Sequence, residues 1–412
     1  MQKSDRCLIR PTLILSNALS GGGAEAVARL MLERIKGSFG VVFENDAKIR
    51  VEGRPIWIAS RRRSRTLTEK ILINCWRVLL IQWAKVKVRP RVTVSHLEGP
   101  NFANIISLGG GRKVIFVHNL VSKNYSGNGR LERIKTFLIR VLYRRADLIV
   151  GVSLEICDEL TTEYGIDAAK VSYLPNPIDI KQIETHAKSR YGDWRDNLID
   201  DNYIVSVASF TEQKNHDFLI EVFSRVRKVL PELKLVLVGS GCKEREIHRK
   251  CIASKLVVQK AGVGDYDRSA DVYFLGFQPN PYPILANAQL FVLPSKWEGL
   301  PISLLEALAL NKVCLVANCS SGIRQILFNQ KEIPSELSDR NRIEVDKVTL
   351  LNFEEYDRSQ MDGWISTMVD LLKNPPTKGK DDSLAKKMIQ RYDINSVGSE
   401  WSRVLFGDSN QQ

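Results

Sequence analysis

Short apolar runs alternate with helical patterns along most of this chain, and that alternation limits the folds it can adopt. In the first half, the predicted strands and helices are residues 12–16, 24–35, 41–44, 91–95, 114–118, 131–143 and 148–152. After a proline-containing connection the pattern restarts, with residues 204–207, 217–229, 234–238, 243–252, 272–275, 290–293 and 313–316. Strands that alternate with helices indicate a parallel sheet covered on both faces. The sequence therefore predicts an α/β chain of two facing Rossmann-like domains, with ligands bound at the strands' carboxyl ends in the cleft between them.

A strand, a turn and a helix in the segment 290–310 carry two glutamates. The strand at 290–293 is a short apolar run, and Pro301 suits the first position of the following helix because it lacks an N–H group and has a preset φ. Glu298 is therefore predicted in the loop, and Glu306 on the second turn of the helix. Glu306 interrupts an otherwise apolar run, which favours a binding role over an exposed position on the helix surface.

The start of this helix is also a predicted anion site. Gly299 and Leu300 lie where a helix N-terminus offers free N–H groups and a partial positive charge, which suits a phosphate. The carboxylates of Glu298 and Glu306 repel phosphate but accept strong hydrogen bonds from hydroxyl groups. The segment therefore predicts a ligand that has both a phosphate part and a hydroxyl-rich part.

This segment resembles the E-x7-E signature of the family 4 glycosyltransferases, which are retaining enzymes of the GT-B architecture. Further stretches resemble other motifs of that family in the expected order, over most of residues 12–327: residues 20–25, 115–119, 146–153, 174–179, 207–216 and 236–241. Each motif is weak by itself, whereas the ordered set together with the glutamates is specific. The resemblance implies an acceptor-binding domain at 1–180, a domain for the nucleotide-sugar at 181–385, and a C-terminal helix at 386–412 that returns to the first domain.

The resemblance also implies roles for individual residues. His118 contacts the donor sugar, Lys214 neutralises the donor diphosphate and Glu298 accepts hydrogen bonds from the sugar ring, so these three are the candidate catalytic residues. Without the resemblance, a single strand-end histidine is more often structural, and Lys214 would be an ordinary surface lysine. The candidate donor-binding residues are Gly22, Gly23, Ser209, Lys214, Gly239, Glu298, Gly299, Leu300, Glu306 and Arg324.

The chain departs from the family pattern at Ser209, where the family usually has an arginine. Losing one cation from a phosphate site ordinarily weakens stabilisation of the leaving group by a few kcal/mol. Arg324, at the start of a later predicted helix, is the candidate substitute. Gln325 stands where the family is often acidic, and Asn311 replaces a glycine at a position that asparagine tolerates because it can adopt the left-handed conformation.

Two motifs favour other interpretations. Residues 21–26 match G-x-G-x-x-A, and Glu44 ends a strand about 20 residues later, as in dinucleotide-binding domains. An NAD-dependent dehydrogenase is therefore an alternative, although it leaves the paired glutamates unexplained. The stretch Asp265-Tyr266-Asp267 matches the D-x-D motif with which a different glycosyltransferase fold holds a metal ion. Because it lies in a glycine-rich loop, it is interpreted as a solvated turn, and no metal or cofactor is expected.

The positive charge of the chain lies in its first half. Residues 1–180 contain 29 Lys and Arg against 16 Asp and Glu, the remaining residues are balanced, and the net charge is +13. Basic residues alternate with Trp, Phe and Leu in residues 61–65, 76–91 and 130–145, a pattern that suits an anionic membrane surface. Solvated basic helix faces are the alternative, and nucleic acid is disfavoured because no nucleic-acid motif accompanies the charge.

The remaining bulk properties restrict the class of protein. A chain of 412 residues, 44% hydrophobic, is long enough for two domains with separate cores. Seven cysteines without C-x-x-C spacing argue against a disulfide framework and a zinc site, and favour a reducing cytoplasm. No apolar run approaches the roughly 20 residues that span a bilayer, and the run at 12–15 is too short for a signal peptide. The predicted location is therefore cytoplasmic, peripheral on the inner face of the cytoplasmic membrane.

Together these features predict a glycosyltransferase that moves a hexose or N-acetylhexosamine from a nucleotide-sugar, with retention of configuration, to a lipid-linked glycan acceptor. The expected process is synthesis of a cell-surface polysaccharide. Besides the dehydrogenase, a non-catalytic protein that binds sugar nucleotides is an alternative, because Ser209 removes one cation from the site.

Overall fold

The computed structural model describes residues 11–44, 51–60, 66–124, 129–261, 266–330, 332–337, 340–352, 358–376 and 383–407. These residues form two compact units. The first contains the described residues up to Pro175 together with those from Ser399 onward, and the second is formed by Asn176–Gly398. Each unit is built on its own sheet.

In the described part of the first unit, seven parallel strands form one sheet. The strands are β1 (Thr12–Ser16), β2 (Ser38–Glu44), β3 (Ile56–Ser60), β4 (Val92–His96), β5 (Arg112–Val117), β6 (Leu148–Gly151) and β7 (Val171–Tyr173). The helices are α1 (Gly23–Arg34), α2 (Leu67–Val88), α3 (Glu98–Ile106), α4 (Val121–Asn124), α5 (Arg130–Leu142) and α6 (Leu154–Thr162). The strand order is β3-β2-β1-β4-β5-β6-β7, so the chain changes direction at β1 and β4. Such a switch point leaves a crevice at the carboxyl ends of the strands.

The second unit contains an eight-stranded sheet in its described part. Its helices are α7 (Ile180–His186), α8 (Arg195–Ile199), α9 (His216–Val226), α10 (Glu244–Ala253), α11 (Tyr282–Asn287), α12 (Ile302–Ala309), α13 (Ser321–Phe328), α14 (Arg358–Lys373) and α15 (Ser383–Gln390), followed by α16 (Ile394–Phe406), which continues into the first unit. Its strands are β8 (Tyr203–Val207), β9 (Lys234–Val238), β10 (Val258–Lys260), β11 (Val272–Gly276), β12 (Leu290–Leu293), β13 (Cys314–Ala317), β14 (Arg342–Val345) and β15 (Val348–Leu351). The order is β10-β11-β9-β8-β12-β13-β15-β14, and only the edge pair β14–β15 is antiparallel among these strands.

The central strands are apolar because helices cover both of their faces. Every residue of β12 is buried, and so is every residue of β9, including Lys234. On one face, α9 and α14 pack over the sheet, with the rings of Phe218 and Trp364 edge to face at 5.4 Å between centroids. This double burial explains why the strands are short, nearly continuous apolar runs in the sequence.

The predicted architecture of two α/β units with parallel sheets is confirmed, and each strand predicted from the sequence is present. The position predicted for Pro301 is wrong: this residue is the N-cap, with a φ of −72° and a ψ of 108°, and the helix begins at Ile302. The hairpin β14–β15 occupies a polar stretch that had no assignment, and Asp346 turns it with a φ of 51°. No helix in the described part of the chain is both long and apolar enough to cross a bilayer.

Candidate active site

The loops that follow β8 and β12 meet at the switch point of the second sheet. β8 pairs with β9 on one side and with β12 on the other, so its carboxyl end lies where the strand order reverses. Lys296 N–H donates to the Gln213 carbonyl at 2.8 Å, and Gln213 Nε2 donates to the Trp297 carbonyl at 2.8 Å. These hydrogen bonds join the two loops at the position where doubly wound sheets bind their ligands.

An ion pair between Lys214 and Glu298 lies between the joined loops. Lys214 Nζ is 2.5 Å from Glu298 Oε1, and the Glu298 side chain is 4% exposed. The hydroxyl of Ser295 donates to the same oxygen at 2.6 Å, and Gln213 Nε2 is 3.4 Å from the other oxygen. A buried carboxylate is tolerated when a cation and hydrogen-bond donors surround it, as they do here. Two of the three predicted catalytic residues, Lys214 and Glu298, are thus in direct contact.

The two residues that follow Lys214, at the start of α9, add no positive charge to the site. Asn215 turns the chain into the helix with a left-handed φ of 53°, which asparagine accepts more readily than most residues. His216 is buried, and this burial, together with the charge of Lys214, lowers its pKa to about 3. His216 is therefore neutral at physiological pH, and the positive charge of this loop end belongs to Lys214.

The first turn of α13 packs directly against the loop that carries Glu298. A Cβ atom added at Gly322 would lie 1.6 Å from the Gly299 carbonyl oxygen, so only glycine permits this approach. The hydroxyl of Ser320 caps the helix by accepting the Ile323 N–H. Leu300 is buried, and its carbonyl accepts a hydrogen bond from Asn176 Nδ2 at 3.2 Å. The predicted anion-binding turn is therefore fixed from both sides.

Arg324, the candidate substitute cation, lies near the start of α13. Its Nη1 donates to Asn318 Oδ1 at 3.2 Å, which anchors the guanidinium at the end of β13. Burial raises the pKa of the nearby Cys319 thiol, as does the carboxylate of Glu298, while the charges of Lys214 and Arg324 oppose that rise. Arg324 also lies two residues after Gly322, which packs against the Gly299 peptide, so it belongs to the helix that contacts the loop of Glu298.

Glu306 is held by a tyrosine that the sequence did not indicate. The Tyr282 hydroxyl donates to Glu306 Oε1 at 3.0 Å, and Glu306 is half-buried. Tyr282 opens α11, just after the carboxyl end of β11, so it reaches the same edge of the sheet as the loops above. The hydroxyl fixes the carboxylate of Glu306 in one orientation.

Gly239 allows the loops after β8 and β9 to approach each other closely. Its φ is +147°, and an added Cβ atom would lie 1.9 Å from the Ala208 carbonyl oxygen. Phe210 N–H donates to the Ser240 carbonyl at 3.0 Å, which ties the loop after β8 to the loop after β9. Ser209 lies within this contact and is half-buried. The structure thus places both predicted residues at the carboxyl edge of the second sheet.

In the first unit, the glycine loop is closed by its own helix. Gly22 is the N-cap of α1, which begins at Gly23, and Gly21 has a φ of +138°. The carboxylate of Glu25 accepts hydrogen bonds from the backbone N–H groups of Gly22 and of Glu25 itself. Burial, with a smaller contribution from Glu44, raises the pKa of Glu25 despite these bonds. Glu25 therefore satisfies part of the helix terminus that the sequence assigned to a ligand.

His118 follows β5 directly and is buried beside a second histidine. Its Nε2 lies 3.0 Å from Nδ1 of His96, the last residue of β4. Burial, and then the neighbouring His118, lower the pKa of His96 well below the ordinary value. The predicted histidine is thus part of a pair, and nothing in the sequence distinguished His96 beyond its position directly after a predicted strand.

The D-x-D stretch is only partly described, because Asp265 lies outside the described residues. Tyr266 donates its hydroxyl to Asp201, and Asp267 accepts from the Ser269 N–H at 2.9 Å. Within the described ranges, no group of three or more His, Cys, Asp or Glu side chains is arranged to hold a metal ion. The basic stretch 61–65 also lies outside the described residues.

Sequence models of two families match the chain. The model described as Glycosyltransferase Family 4 matches residues 22–182, and the model described as Glycosyl transferases group 1 matches residues 195–333. Together the two matches cover more than half of the chain; the first ends seven residues inside the second unit, and the second lies within that unit.

Two relatives illustrate the similarity. The chain is 26% identical over 278 residues to an uncharacterized glycosyltransferase of Methanocaldococcus jannaschii, covering 65% of this chain and 64% of the relative. It is 29% identical over 239 residues to the N-acetylgalactosamine-N,N'-diacetylbacillosaminyl-diphospho-undecaprenol 4-alpha-N-acetylgalactosaminyltransferase of Campylobacter jejuni, covering 57% of this chain and 60% of the relative. Each match thus spans less than two thirds of the relative's length.

Solved structures show the same fold. Sucrose-phosphate synthase from Thermosynechococcus elongatus is similar over 96% of this chain and 98% of that chain, with a TM-score of 0.70 at 14% identity. The chain therefore belongs to the glycosyltransferases and has the GT-B fold, with a family 4 domain followed by a group 1 domain. This membership favours the glycosyltransferase interpretation over the dehydrogenase suggested by the glycine loop.

We expect Gly322→Ala to destabilise the second unit by about 1–3 kcal/mol, because the added methyl group must displace the Gly299 peptide. Gly363→Ala is the matched control: Gly363 lies inside α14, and nothing lies within 4 Å of an added Cβ atom there. Alanine at that position should be neutral or stabilising by up to about 1 kcal/mol. Urea denaturation of both variants measures the difference, and equal midpoints would contradict the proposed contact.

Proposed function

We propose that this chain transfers a hexose or N-acetylhexosamine from a nucleotide-sugar to a lipid-linked glycan acceptor, with retention of anomeric configuration. The process served is synthesis of a cell-surface polysaccharide. The observation that carries the proposal is the buried contact of Lys214 with Glu298 at the switch point of the second sheet. The similarity to a transferase whose name specifies a diphospho-undecaprenol-linked acceptor supports the class of acceptor.

The donor is proposed to bind along the carboxyl edge of the second sheet. Glu306, oriented by Tyr282, accepts hydrogen bonds from the ribose hydroxyls, and Glu298 accepts them from the sugar ring. The diphosphate lies at Gly299 and the start of α12, where backbone N–H groups and the helix dipole favour an anion. The orientation of both carboxylates by neighbouring donors supports these roles, since preorganised groups lose little entropy when a ligand binds.

The charge of the donor requires more than Lys214. That ammonium is already paired with the Glu298 carboxylate, so it neutralises only part of a bound diphosphate. Ser209 offers a hydroxyl but no charge where the family usually has a cation. Arg324 is proposed to supply the missing positive charge, and its position near the start of α13, the helix that packs against Gly299, supports this. With two cations and helix N–H groups available, catalysis is proposed to be independent of a metal ion.

In the proposed reaction, the acceptor hydroxyl oxygen bonds to the anomeric carbon as the bond from that carbon to the donor phosphate breaks. The departing phosphate oxygen takes the acceptor's proton, and the acceptor enters on the same face of the sugar from which the phosphate leaves. Neither glutamate forms a covalent bond. The cations stabilise the negative charge that grows on the leaving diphosphate, which is where electrostatic catalysis has its largest effect.

We expect Glu298→Gln to lose most transfer activity while binding the nucleotide at least as tightly, because Lys214 is released from its counter-charge.

Glu306→Ala should instead weaken nucleotide binding, since ribose contacts are lost. A thermal-shift panel of UDP, GDP, ADP and their common sugars identifies the donor, and calorimetry and radiolabel transfer in EDTA then separate binding from turnover. Near-normal kinetics in both variants would refute the assignment, and slow donor hydrolysis without an acceptor would exclude a non-catalytic protein.

Arg324→Ala should reduce donor affinity or turnover by about 10- to 1000-fold, which corresponds to the few kcal/mol expected of one cation at a diphosphate. Arg249→Ala, an exposed arginine on α10, is the matched control and should leave both parameters unchanged. Adding arginine at position 209 in the Arg324→Ala background tests whether the two positions are interchangeable. Unchanged donor affinity and rate in Arg324→Ala would contradict the assigned role.

The acceptor side of the proposal rests on an exposed apolar stripe on α2. Leu72, Trp76, Leu79, Trp83 and Val86 recur every three or four residues, which places them on one face of the helix. All five are exposed, Leu72 by 69% and Val86 by 63%. Their repeat matches the 3.6-residue period of a helix. Trp76 and Trp83 contact the edge of the sheet, at the Ala59 carbonyl and the Trp57 ring, whereas Leu72, Leu79 and Val86 are the exposed part of this face.

A second stripe and the surrounding charges point to the same kind of partner. On α5, Ile134, Phe137, Leu138 and Val141 are exposed at helical spacing, and α2 and α5 carry the lysines and arginines noted in the sequence. Lys87 Nζ lies 4.7 Å from the centroid of the Trp83 ring, at the edge of the first stripe. A second copy of the chain would bring like charges together, whereas anionic lipid offers opposite charge and an apolar interior. We therefore propose that this face docks on an anionic membrane surface.

The membrane proposal predicts that the protein floats at low salt with vesicles containing phosphatidylglycerol, and not with pure phosphatidylcholine. Replacing Leu72 and Leu79 by serine should abolish flotation, because the buried apolar area is lost. Ile252→Ser, which alters an equally exposed apolar side chain on α10, is the control and should float like the wild type. Failure of the wild type to float, or a dimer in solution that the double variant dissociates, would overturn the proposal.

A further inference from the structure

A turn after β8 and the loop after β12 carry opposite charges in the same order. The turn is formed by Glu212–Lys214, with a carboxylate first and an ammonium last. The facing loop has the ammonium of Lys296 first and the carboxylate of Glu298 last. Lys214 pairs with Glu298 at 2.5 Å, and Lys296 pairs with Glu212. Two ion pairs of reversed polarity therefore join the same two loops.

The residue between the charges of the turn binds the same loop. Gln213 accepts the Lys296 N–H with its carbonyl at 2.8 Å, and its Nε2 donates to the Trp297 carbonyl at 2.8 Å. All three residues of the turn thus contact the loop, in the same order along both segments. Shifting the loop by two residues would place Lys296 opposite Lys214, and like charges at contact distance repel each other. The reversed polarity therefore fixes the register of the two segments.

Glu212 also binds the loop on the other side of β8. β9 and β12 flank β8 in the sheet, and Glu212 accepts one lysine from the loop after each: Lys243 at Oε2 and Lys296 at Oε1. The backbone N–H of Lys243 donates to the Phe210 carbonyl at 3.0 Å, which keeps this lysine next to the loop after β8. Hydrogen bonds from Lys243, and then from Lys296, hold the pKa of Glu212 below its ordinary value. One ionised carboxylate thus connects three loops at the carboxyl edge.

We infer that Glu212 is a positioning residue for the proposed transfer reaction: it holds the ammonium of Lys296 away from Glu298, so that Lys214 remains the cation paired with that carboxylate. Lys296 precedes Glu298 by only two residues, and a lysine carries its charge on a flexible four-carbon stem. The effect of Glu212 on turnover rests on the proposed function, whereas the choice of ion pairs depends on the second unit alone.

The surroundings explain why the choice of partner matters. The side chain of Glu298 is 4% exposed, and those of Lys214 and Lys296 are 15% and 19% exposed. Water screens charges poorly in such a place, so an ammonium that loses one carboxylate is drawn strongly to another. Lys243 is more exposed and also lies 3.4 Å from Glu246, so the loss of Glu212 affects Lys296 most.

Replacing Glu212 by glutamine keeps the size of the side chain and removes its charge. Lys296 should then compete with Lys214 for Glu298, and turnover should fall by about 10- to 100-fold because a small displacement at the reacting centre has effects of this size. The Kd of the nucleotide should not weaken by more than about threefold, since Lys214 stays available to the diphosphate. Steady-state kinetics and calorimetry measure the two parameters separately.

A second substitution separates positioning from a merely structural ion pair. Lys296→Met keeps the apolar stem and removes the competing ammonium, so adding it to Glu212→Gln should restore turnover to within about fivefold of the wild type. If the ion pair served only stability, the double variant would be no faster than Glu212→Gln. That result, with both variants folded as judged by thermal denaturation, would overturn the inference, as would unchanged turnover in Glu212→Gln.

Glu221→Gln is the matched control. Glu221 lies on α9, is also partly exposed, and also binds two cations, Arg225 at 3.2 Å and Lys250 at 3.4 Å. Neither cation belongs to the loops that carry Lys214 and Glu298, so this variant should keep the turnover of the wild type. An equal loss of turnover in Glu221→Gln and Glu212→Gln would contradict a specific role for Glu212.

Lysine reactivity tests the ion pairs without substrate. Trace acetic anhydride modifies lysine amines that have lost their proton, and mass spectrometry gives the rate at each lysine, with exposed Lys228 as the internal reference. Lys214 should react about three- to tenfold faster in Glu212→Gln, because an ammonium that loses its ion pair gives up its proton more readily. Adding Lys296→Met should return the rate to that of the wild type.

The two kinds of measurement distinguish the inference from the proposed function. Unchanged reactivity of Lys214 in Glu212→Gln would overturn the inference even if transferase activity is found. The expected reactivities in a protein without transferase activity would refute only the proposed function.

Discussion

The site in the second unit depends on the buried contact between Lys214 and Glu298. It joins the loop after β8 to the loop after β12, the two strands between which the order of the sheet reverses. Either charge alone would be costly at this depth, because an unpaired buried ion loses several kcal/mol of hydration. Ser295 and Gln213 complete the arrangement by donating to the same carboxylate. Two charges can therefore lie in the crevice at the carboxyl edge of the sheet at a lower cost than either would have alone.

The two units arrange charge in opposite ways. In the first, two groups at the strand ends contact each other, as the paired rings of His96 and His118 show. Its positive charge lies on the outer helices, beside exposed apolar side chains. In the second, the cations Lys214 and Arg324 lie at the carboxyl edge of the sheet. This division is consistent with the proposed binding of an anionic donor by the second unit and the proposed docking of the first unit on an anionic surface.

Some parts of the fold were predictable because their sequence pattern reflects burial. β12 is apolar throughout since helices cover both of its faces, and it was located correctly. The face of α2 that carries Leu72 and Leu79 is exposed, so its periodicity indicates a surface for a partner and does not indicate a core. The hairpin β14–β15 escaped prediction because polar residues precede it and its turn depends on the positive φ of Asp346, although β15 itself is a short buried run. Local sequence patterns predict burial well, but they predict the backbone conformation of single residues poorly.

The sequence by itself determined the α/β class, the two parallel sheets, and the loop and helix positions of Glu298 and Glu306, because each depends on local periodicity and on a motif contained in one segment. Only the tertiary structure decided which side chains meet. The pairing of Lys214 with Glu298, of Tyr282 with Glu306, and of His96 with His118 joins residues from different strand ends. Such contacts are set by the order of strands in the sheet, and strand order is a property of the folded chain that no single segment encodes.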